Sequence, residues 1–422
     1  MDNERLRFFL NRVRERLWVK PVILCILSVL AALLARYVDS LPIGLDLENL
    51  LPNVKQESIE DLLKVTASSM LVIATFSVSS MVSAYASAAT TATPRTFRLV
   101  IADDVSQNAL STFIGVFIFS IVALMALMNG YYGKPGRFIL FSLTLVTIAV
   151  VIFTFVRWVD SIARLGRMGT IIERVETATA DAMEEQKRLS ALCVRTSDSV
   201  IASATPVYAQ TIGYVQQVDV RKLQRYAEEK KVRITLAALP GTFAAPDRPL
   251  AYLVPDEPME AEGLDAKDVQ LHKAFVVGRN RLFDQDPRFG LVVLSEIAAR
   301  ALSAATNDPG TAIDIIGTYV RLFVQWGRPA EDQPEPECKR VAVAEISVAD
   351  MFDDAFTSLA RDGAGILEVQ IRLQKAFRTL AASENSAMRE EAERHAELAL
   401  KRAEQEMRFP ADVVTLRAFL KA

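Results

Sequence analysis

Histidine and cysteine are both scarce in this sequence. Only two histidines occur among the 422 residues, His272 and His395, and the three cysteines, Cys25, Cys193 and Cys338, show no CxxC spacing. A histidine-based catalytic centre or a zinc site therefore has almost no ligands to draw on, and no metal is expected. A disulfide framework is not expected either, which fits a reducing compartment for the soluble part.

Strong charge imbalance and the common catalytic motifs are also missing. The net charge is −3 and no basic run dominates, so nucleic acid is not an expected partner. The sequence contains no P-loop, no HExxH motif and no nucleophile elbow. These absences predict a protein that is not an enzyme, with no catalytic residue and no cofactor.

Apolar residues are abundant, at 51% of the chain, and they concentrate before Trp158. A membrane span needs about 20 mostly apolar residues. Four stretches qualify: 21–35 extended through 38, 67–92, 109–128 and 138–156. The first could also be the core of a signal peptide, but no small-residue cleavage site follows it, so a true span is the preferred interpretation.

Lysine and arginine predict the orientation of these spans. Six basic residues precede the first span, the loop after it is acidic, and several arginines follow the last span. Because basic residues are enriched in cytoplasmic flanks, the N-terminus is expected inside. Four spans return the chain to the same side, which predicts a cytoplasmic C-terminal domain.

The second predicted span carries no charge and is rich in hydroxyl side chains. Residues four apart share a helix face, and two such rows of small residues run along this span. Small residues let helix backbones approach closely, whereas hydroxyls can also line a water-filled path. Helix packing and pore lining both remain open for Ser79, Ser80, Ser83, Ser87, Thr90 and Thr91.

Four charged residues follow this span at its predicted inner end: Arg95, Arg98, Asp103 and Asp104. The preferred interpretation is headgroup anchoring by the arginines, with helix capping or local ion pairing by the aspartates. The alternative is a charged ring at the inner mouth of a conducting path.

The rest of the chain predicts an α+β fold. An amphipathic juxtamembrane helix is expected over 159–200, and an α+β domain over 201–327 that includes a helix capped by Asp219. A proline-rich linker, 328–340, precedes one strand and charged helices in 341–422, with His395 in solvent. The expected fold is a membrane α-helical domain of four transmembrane helices, 1–158, followed by a cytoplasmic α+β domain with a small β-rich unit and a helical C-terminal part.

Two short polar motifs flank a predicted helix in the soluble part. Asp308 is expected to cap the next helix and Pro309 to occupy its first turn, which explains Asn307 and Asp308 without any chemistry. The alternative is a ligand pocket in which Gln285 and Asp286 meet Asn307 and Asp308. That pocket requires the two helix starts to lie close together.

Four segments carry a resemblance to a known family: TATPRTFRLVIADDVSQNALSTFIGVFIFSIVAL, GYVQQVD, GTFAAPDRPLAYL and DQDPRFGLVVLSEIAARALSAATNDPGTAIDII. With these segments the chain resembles a bacterial family of predicted multi-pass inner-membrane proteins of unknown function. The family has a Ser/Thr-Pro-Arg end after the second span and an Asn-Asp-Pro motif in the soluble domain. Where the family shows Ser-Pro before that motif this chain has SAAT, so the turn is expected to differ. The resemblance implies an inner-membrane location and no particular reaction.

These features predict a homo-oligomeric, channel-like inner-membrane protein with a cytoplasmic regulatory domain. Its second span would line a path for a small ion or polar solute. No span carries a central charge, the usual mark of a coupled transporter, and one four-span monomer is small for a conduit. The alternative is a membrane-anchored sensor or scaffold whose soluble domain binds a ligand or partner protein. The lipid bilayer and further copies of the chain are the expected partners.

Overall fold

The computed structural model describes residues 19–40, 54–91, 93–96, 99, 104–165, 167–195, 204–256, 268–328 and 335–421. Contacts between Cα atoms divide the chain into two units, Met1–Ile171 and Ile172–Ala422. The described part of the first unit is helical, and the second combines two β-sheets with a group of helices.

The helices of the first unit form where the sequence is apolar, because a helix satisfies its own backbone hydrogen bonds without water. They are α1 (Val19–Ser40), α2 (Gln56–Thr91), α3 (Asp104–Met128) and α4 (Lys134–Leu165), with a 3₁₀ turn at Pro94–Thr96. Helices α2, α3 and α4 are long and apolar enough to cross a membrane, which agrees with the last three predicted spans. Helix α1 has 22 residues, and its crossing of the membrane stays a prediction.

Helix α3 contacts each of the other three helices of this unit. One apolar cluster surrounds Phe119 and Leu140, and a second surrounds Phe113 and Trp158. Gly115 allows α1 to approach α3 closely, since a Cβ at this position would stand 3.1 Å from Leu24 Cδ2. Tight packing through a small residue is typical of helix contacts in membranes.

The outer faces of these helices are apolar as well. Large apolar side chains of α2 and α4 are exposed on the surface of the unit: Leu71, Val72, Phe76, Val82, Val146, Val150, Ile152, Phe153 and Val156. A helix that is apolar all round is buried in a large core or lies in a membrane. The first unit therefore has the surface that lipid contact requires.

The second unit begins near the start of α5 (Met168–Leu192) and contains two sheets. Its strands are β1 (Cys193–Arg195), β2 (Thr205–Tyr208), β3 (Gly213–Val218), β4 (Val232–Leu236), β5 (Phe243–Ala244), β6 (Pro249–Pro255), β7 (Phe275–Gly278) and β8 (Cys338–Val343). The larger sheet has the order β1-β8-β4-β6-β2, with β1 and β4 parallel to β8 and the other pairs antiparallel. The smaller sheet is antiparallel, in the order β5-β3-β7.

Two features of these sheets differ from the expected segment boundaries. Strand β8 begins inside the predicted linker, at Cys338, and lies between β1 and β4 in the larger sheet. The predicted juxtamembrane segment 159–200 is divided among the end of α4, the whole of α5 and β1. Strand pairing between distant segments overrides the local boundary signals in both places.

The remaining elements are helices. They are α6 (Val220–Glu229), α7 (Val269–His272), α8 (Pro287–Ala301), α9 (Pro309–Gly327), α10 (Val348–Asp362), α11 (Leu367–Ala381), α12 (Ser386–Glu406) and α13 (Pro410–Lys421). Asp219 accepts a hydrogen bond from the backbone N–H of Lys222, and Asp308 accepts one from Thr311, so both predicted N-caps are confirmed. Capping satisfies donors that have no partner within the helix.

The prediction that His395 lies in solvent is wrong. The residue is 3% exposed, and its ring packs beside Phe352, with ring centroids 5.6 Å apart. Its Nε2 lies 3.1 Å from Asp353 Oδ1 on α10. The surrounding charges suggested a solvated face, but the histidine lies on the face of α12 that packs against α10.

Candidate functional site: the outward serine row of helix α2

Helix α2 has one face that packs against its neighbours and one that does not. Its buried residues include Met70, Ala74, Ser77 and Met81, which recur every three or four positions along one stripe. Ser83 lies about 180° around the helix from Ala74, at about 3.6 residues per turn. The stripe and Ser83 therefore lie on opposite faces of α2.

The residues of this row are accordingly exposed on the surface of the unit. Ser79, Ser83 and Ser87 are exposed, and Ser80 is half-buried beside them. The side chains of Thr90 and Thr91, which the sequence assigns to the same group, lie outside the described residues. We call Ser79, Ser83 and Ser87 the outward serine row.

Hydroxyls elsewhere on α2 bond to the helix itself. The side chains of Thr66, Thr75 and Ser77 donate to carbonyl oxygens four residues earlier, at 2.7 to 2.9 Å. Such bonds make a hydroxyl tolerable in an apolar environment without a partner on another helix. The helix can therefore carry many hydroxyls in a membrane, whichever role the outward serine row has.

The interior of the four-helix unit is filled by large side chains. Trp158 is 1% exposed, and its ring lies 6.4 Å from that of Phe113 and 6.0 Å from that of Phe155, measured between centroids. Phe76 of α2 meets the same tryptophan at 6.1 Å. Aromatic rings at these separations form a packed core. A polar path along α2 would therefore run outside this core.

The charged residues after α2 occupy different surroundings. Asp104, the first residue of α3, forms an ion pair with Lys20 of α1. A carboxylate at a helix start is also favoured by the helix dipole. Arg95 is exposed in the 3₁₀ turn, and Arg98 and Asp103 lie outside the described residues. The partner of Asp104 is thus far away in the sequence rather than local, and the roles of these four residues stay a prediction.

The hypothesis that four residues form one ligand pocket in the soluble unit is wrong. Asp286 caps the start of α8, whereas the N–H of Asp308 bonds to the carbonyl of Ala301 at the end of that helix. A helix of 15 residues is about 22 Å long, at about 1.5 Å per residue. The pairs Gln285–Asp286 and Asn307–Asp308 therefore stand at opposite ends of α8.

Asp286 has its own charged partner. Its carboxylate accepts two hydrogen bonds from Arg281, at 2.7 Å from Nε and 2.9 Å from Nη2. It also accepts the N–H of Phe289 at 3.0 Å. Burial raises the pKa of Asp286, and the bonds from Arg281 oppose this shift. The arrangement fixes the loop before α8 and leaves this carboxylate fully engaged.

The chain has relatives among known proteins. Residues 14–379 match the family described as "Predicted membrane protein (DUF2254)". The chain belongs to this family. The resemblance inferred from the sequence motifs is thus confirmed, and DUF2254 membership brings with it the description of a membrane protein but no reaction.

Curated relatives of this DUF2254 protein come from mycobacteria. An uncharacterized protein of Mycobacterium tuberculosis (strain CDC 1551 / Oshkosh) is 29% identical over 237 residues, which cover 53% of this chain and 43% of the relative. An uncharacterized protein of Mycobacterium bovis (strain ATCC BAA-935 / AF2122/97) matches with the same identity and coverage. The chain thus spans less than half the length of these relatives. No solved structure matches it.

Two features of the DUF2254 protein were not predicted from the sequence motifs. Cys193 and Cys338, far apart in sequence, are partners in the pairing of β1 with β8. His395 is buried against aromatic rings, and this burial lowers its pKa, with the charge of Arg394 acting in the same direction. Neither position has a local sequence signal, because each contact is made by a distant segment. Within the described ranges, no group of three or more His, Cys, Asp or Glu side chains could hold a metal ion.

Proposed function

We propose that this DUF2254 protein is a homo-oligomeric, channel-like protein of the bacterial inner membrane, with the outward serine row of α2 lining a path between copies. The observation that carries the proposal is the exposure of Ser79, Ser83 and Ser87 on the face of α2 opposite its buried stripe. Hydroxyls can solvate an ion or a polar solute without the energetic cost of a charge in the membrane.

A path between copies fits the packing within one chain. Aromatic and aliphatic side chains fill the interior around Trp158. The outward serine row lies on an exposed face of α2, where a second copy can face it. Closed symmetric assembly would bring one row from each copy around a common axis.

Helix α1 is proposed as the fourth span. Lys20 near its start pairs with Asp104 at the start of α3, and Leu24 and Ser28 lie against Gly115 further along α3. The two helices therefore run side by side in the same direction. A helix that accompanies α3 in this way would cross the same layer.

The proposed orientation puts the N-terminus and the second unit in the cytoplasm. Its support is the distribution of lysine and arginine, which are most frequent before α1 and after α4. Four spans are consistent with both ends on one side. We propose that the second unit is a regulatory domain and that the protein is not an enzyme.

Ion flux from liposomes tests the proposal. Vesicles containing the full chain are expected to release a small ion, and Ser83→Leu is expected to abolish this release while the oligomer stays intact. Val78→Leu is the matched control, because Val78 is also exposed on α2 but lies about 140° around the helix from Ser83. This control is expected to keep the flux.

Two results would contradict the proposal. One is an absence of flux for several ions from vesicles that contain a stable oligomer. The other is an equal effect of Ser83→Leu and Val78→Leu. Either result would favour the second candidate function, a membrane-anchored sensor or scaffold in which the small residues of α2 pack helices together.

A further inference from the structure

Two buried cysteines meet in the larger sheet of the soluble unit. Cys193 begins β1 and Cys338 begins β8, and the two residues are register partners before the pairing shifts at Val194. They are 3% and 1% exposed, respectively. Both belong to the same buried core cluster. Neighbouring strands lie about 4.8 Å apart, and a disulfide spans about 4.4–6.8 Å between Cα atoms, so two paired cysteines in this position have the spacing from which a disulfide can form.

The surroundings of the pair shift the pKa values of its two thiols in opposite directions. The Cys338 S–H donates to the carbonyl of Val220, with sulfur and oxygen 3.8 Å apart. The neighbouring Cys338 thiol and burial both raise the pKa of Cys193, whereas the neighbouring Cys193 thiol lowers the pKa of Cys338. Because the thiolate is the nucleophile in thiol oxidation, Cys338 is the thiol that reacts first.

We propose that Cys193 and Cys338 form a reversible intramolecular disulfide, and that this bond is an oxidative modification site of the soluble unit. Both positions are free thiols in the structure. The proposal does not depend on the proposed path along α2. It is compatible with a cytoplasmic soluble unit, in which disulfides are transient and redox-sensing rather than structural.

A peroxide is the oxidant that the proposal names. The Cys338 thiolate attacks one peroxide oxygen, the O–O bond breaks, and the departing oxygen takes a proton and leaves as water or an alcohol. Cys338 is then a sulfenic acid. The sulfur of Cys193 attacks the sulfenic sulfur, its proton goes to the departing hydroxide, and water leaves. The two thiols are oxidised by two electrons and the peroxide is reduced by two.

Access to the buried pair is provided by the short edge strand. Strand β1 has three residues and pairs only with β8 within the sheet. A short strand at a sheet edge opens at a lower free energy than the strands in the middle. Partial opening at the end of β1 admits the peroxide while Cys193 and Cys338 stay near each other, and the disulfide would then hold β1 against β8.

The test uses the full chain in detergent with Cys25→Ser, which leaves only the pair. The chain is treated with hydrogen peroxide, the peroxide is removed, and the chain is unfolded and alkylated with N-ethylmaleimide. The expected result is loss of both alkylation sites, a cross-linked peptide that contains Cys193 and Cys338, and recovery of both sites with dithiothreitol. The oxidised chain is also expected to unfold at a higher temperature, since the bond constrains the unfolded state.

Cys193→Ser in the same chain is the matched control. It is expected to give no intramolecular cross-link and to leave Cys338 as a sulfenic acid that a dimedone-type probe captures. If this variant does not fold, peptide mapping of the Cys25→Ser chain alone shows whether the disulfide forms. Two alkylatable thiols after peroxide treatment, or cross-links only between chains, would overturn the proposal.

Discussion

Replacing Arg281 by methionine removes the only charge that the structure places in direct contact with the Asp286 carboxylate among the described residues. Asp286 is 4% exposed and Arg281 is 21% exposed at the side chain. Breaking a buried ion pair by removing one partner costs about 3–5 kcal/mol. Because water reaches part of Arg281, we expect the lower end, a loss of about 3 kcal/mol in the unfolding free energy of the soluble unit.

The sign of the pH dependence gives a second, independent readout of this variant. Burial raises the pKa of Asp286 above its ordinary value, and Arg281 opposes that rise. Without Arg281 the folded-state pKa should rise further. A carboxyl group with a raised pKa favours the folded state most at low pH and loses this contribution as pH rises through the raised pKa. The defect of Arg281→Met should therefore shrink as the solution is acidified.

Urea-dependent pulse proteolysis of the full chain measures the effect in the soluble unit. Arg279→Met is the matched control, because Arg279 is exposed in the same loop, and it is expected to change stability by less than about 0.5 kcal/mol. Adding Asp286→Asn to Arg281→Met should recover part of the loss, since asparagine keeps the cap on Phe289 without a charge. A loss below about 1 kcal/mol, or no recovery with asparagine, would refute the reasoning.

Three further substitutions test other contacts in the soluble unit by the same proteolysis. Gly290→Ala should cost about 1–3 kcal/mol, because the new Cβ would stand 2.8 Å from Thr179 Cβ, and Thr179→Gly should recover part of it. Asp308→Ala should cost about 1 kcal/mol through the lost cap, whereas Asp308→Asn should cost little; equal losses would contradict the capping role. Burial lowers the pKa of His395, so its contribution to stability holds above the ordinary pKa of about 6.5 and falls as pH drops; His395→Gln should flatten this dependence.

Local sequence patterns were sufficient to predict helices α2, α3 and α4 of the first unit and two helix N-caps of the second. The long apolar runs predicted α2, α3 and α4, since length and hydropathy are properties of one segment. The aspartate before Pro309 predicted the start of α9, because capping depends on only a few neighbouring residues. Each of these features can be read without knowing what another segment does.

Features that depend on distant contacts could not be read in this way. The burial of His395, the ion pair of Arg281 with Asp286 and the meeting of Cys193 with Cys338 each require the tertiary fold. The small-residue row of α2 is an intermediate case. Its residues were evident from their spacing, but the face on which α2 packs is set by α3 and α4. Only the structure shows that Ser79, Ser83 and Ser87 are exposed.

Cross-linking between copies tests the central claim most directly. Ser83→Cys and Val78→Cys are made separately in the Cys25→Ser chain, and each protein is oxidised in membranes with a copper–phenanthroline catalyst. If the outward serine row faces a second copy, Ser83→Cys should give a reducible dimer and Val78→Cys should give little. Absence of a dimer with Ser83→Cys, or equal dimer formation by the two variants, would contradict a path between copies.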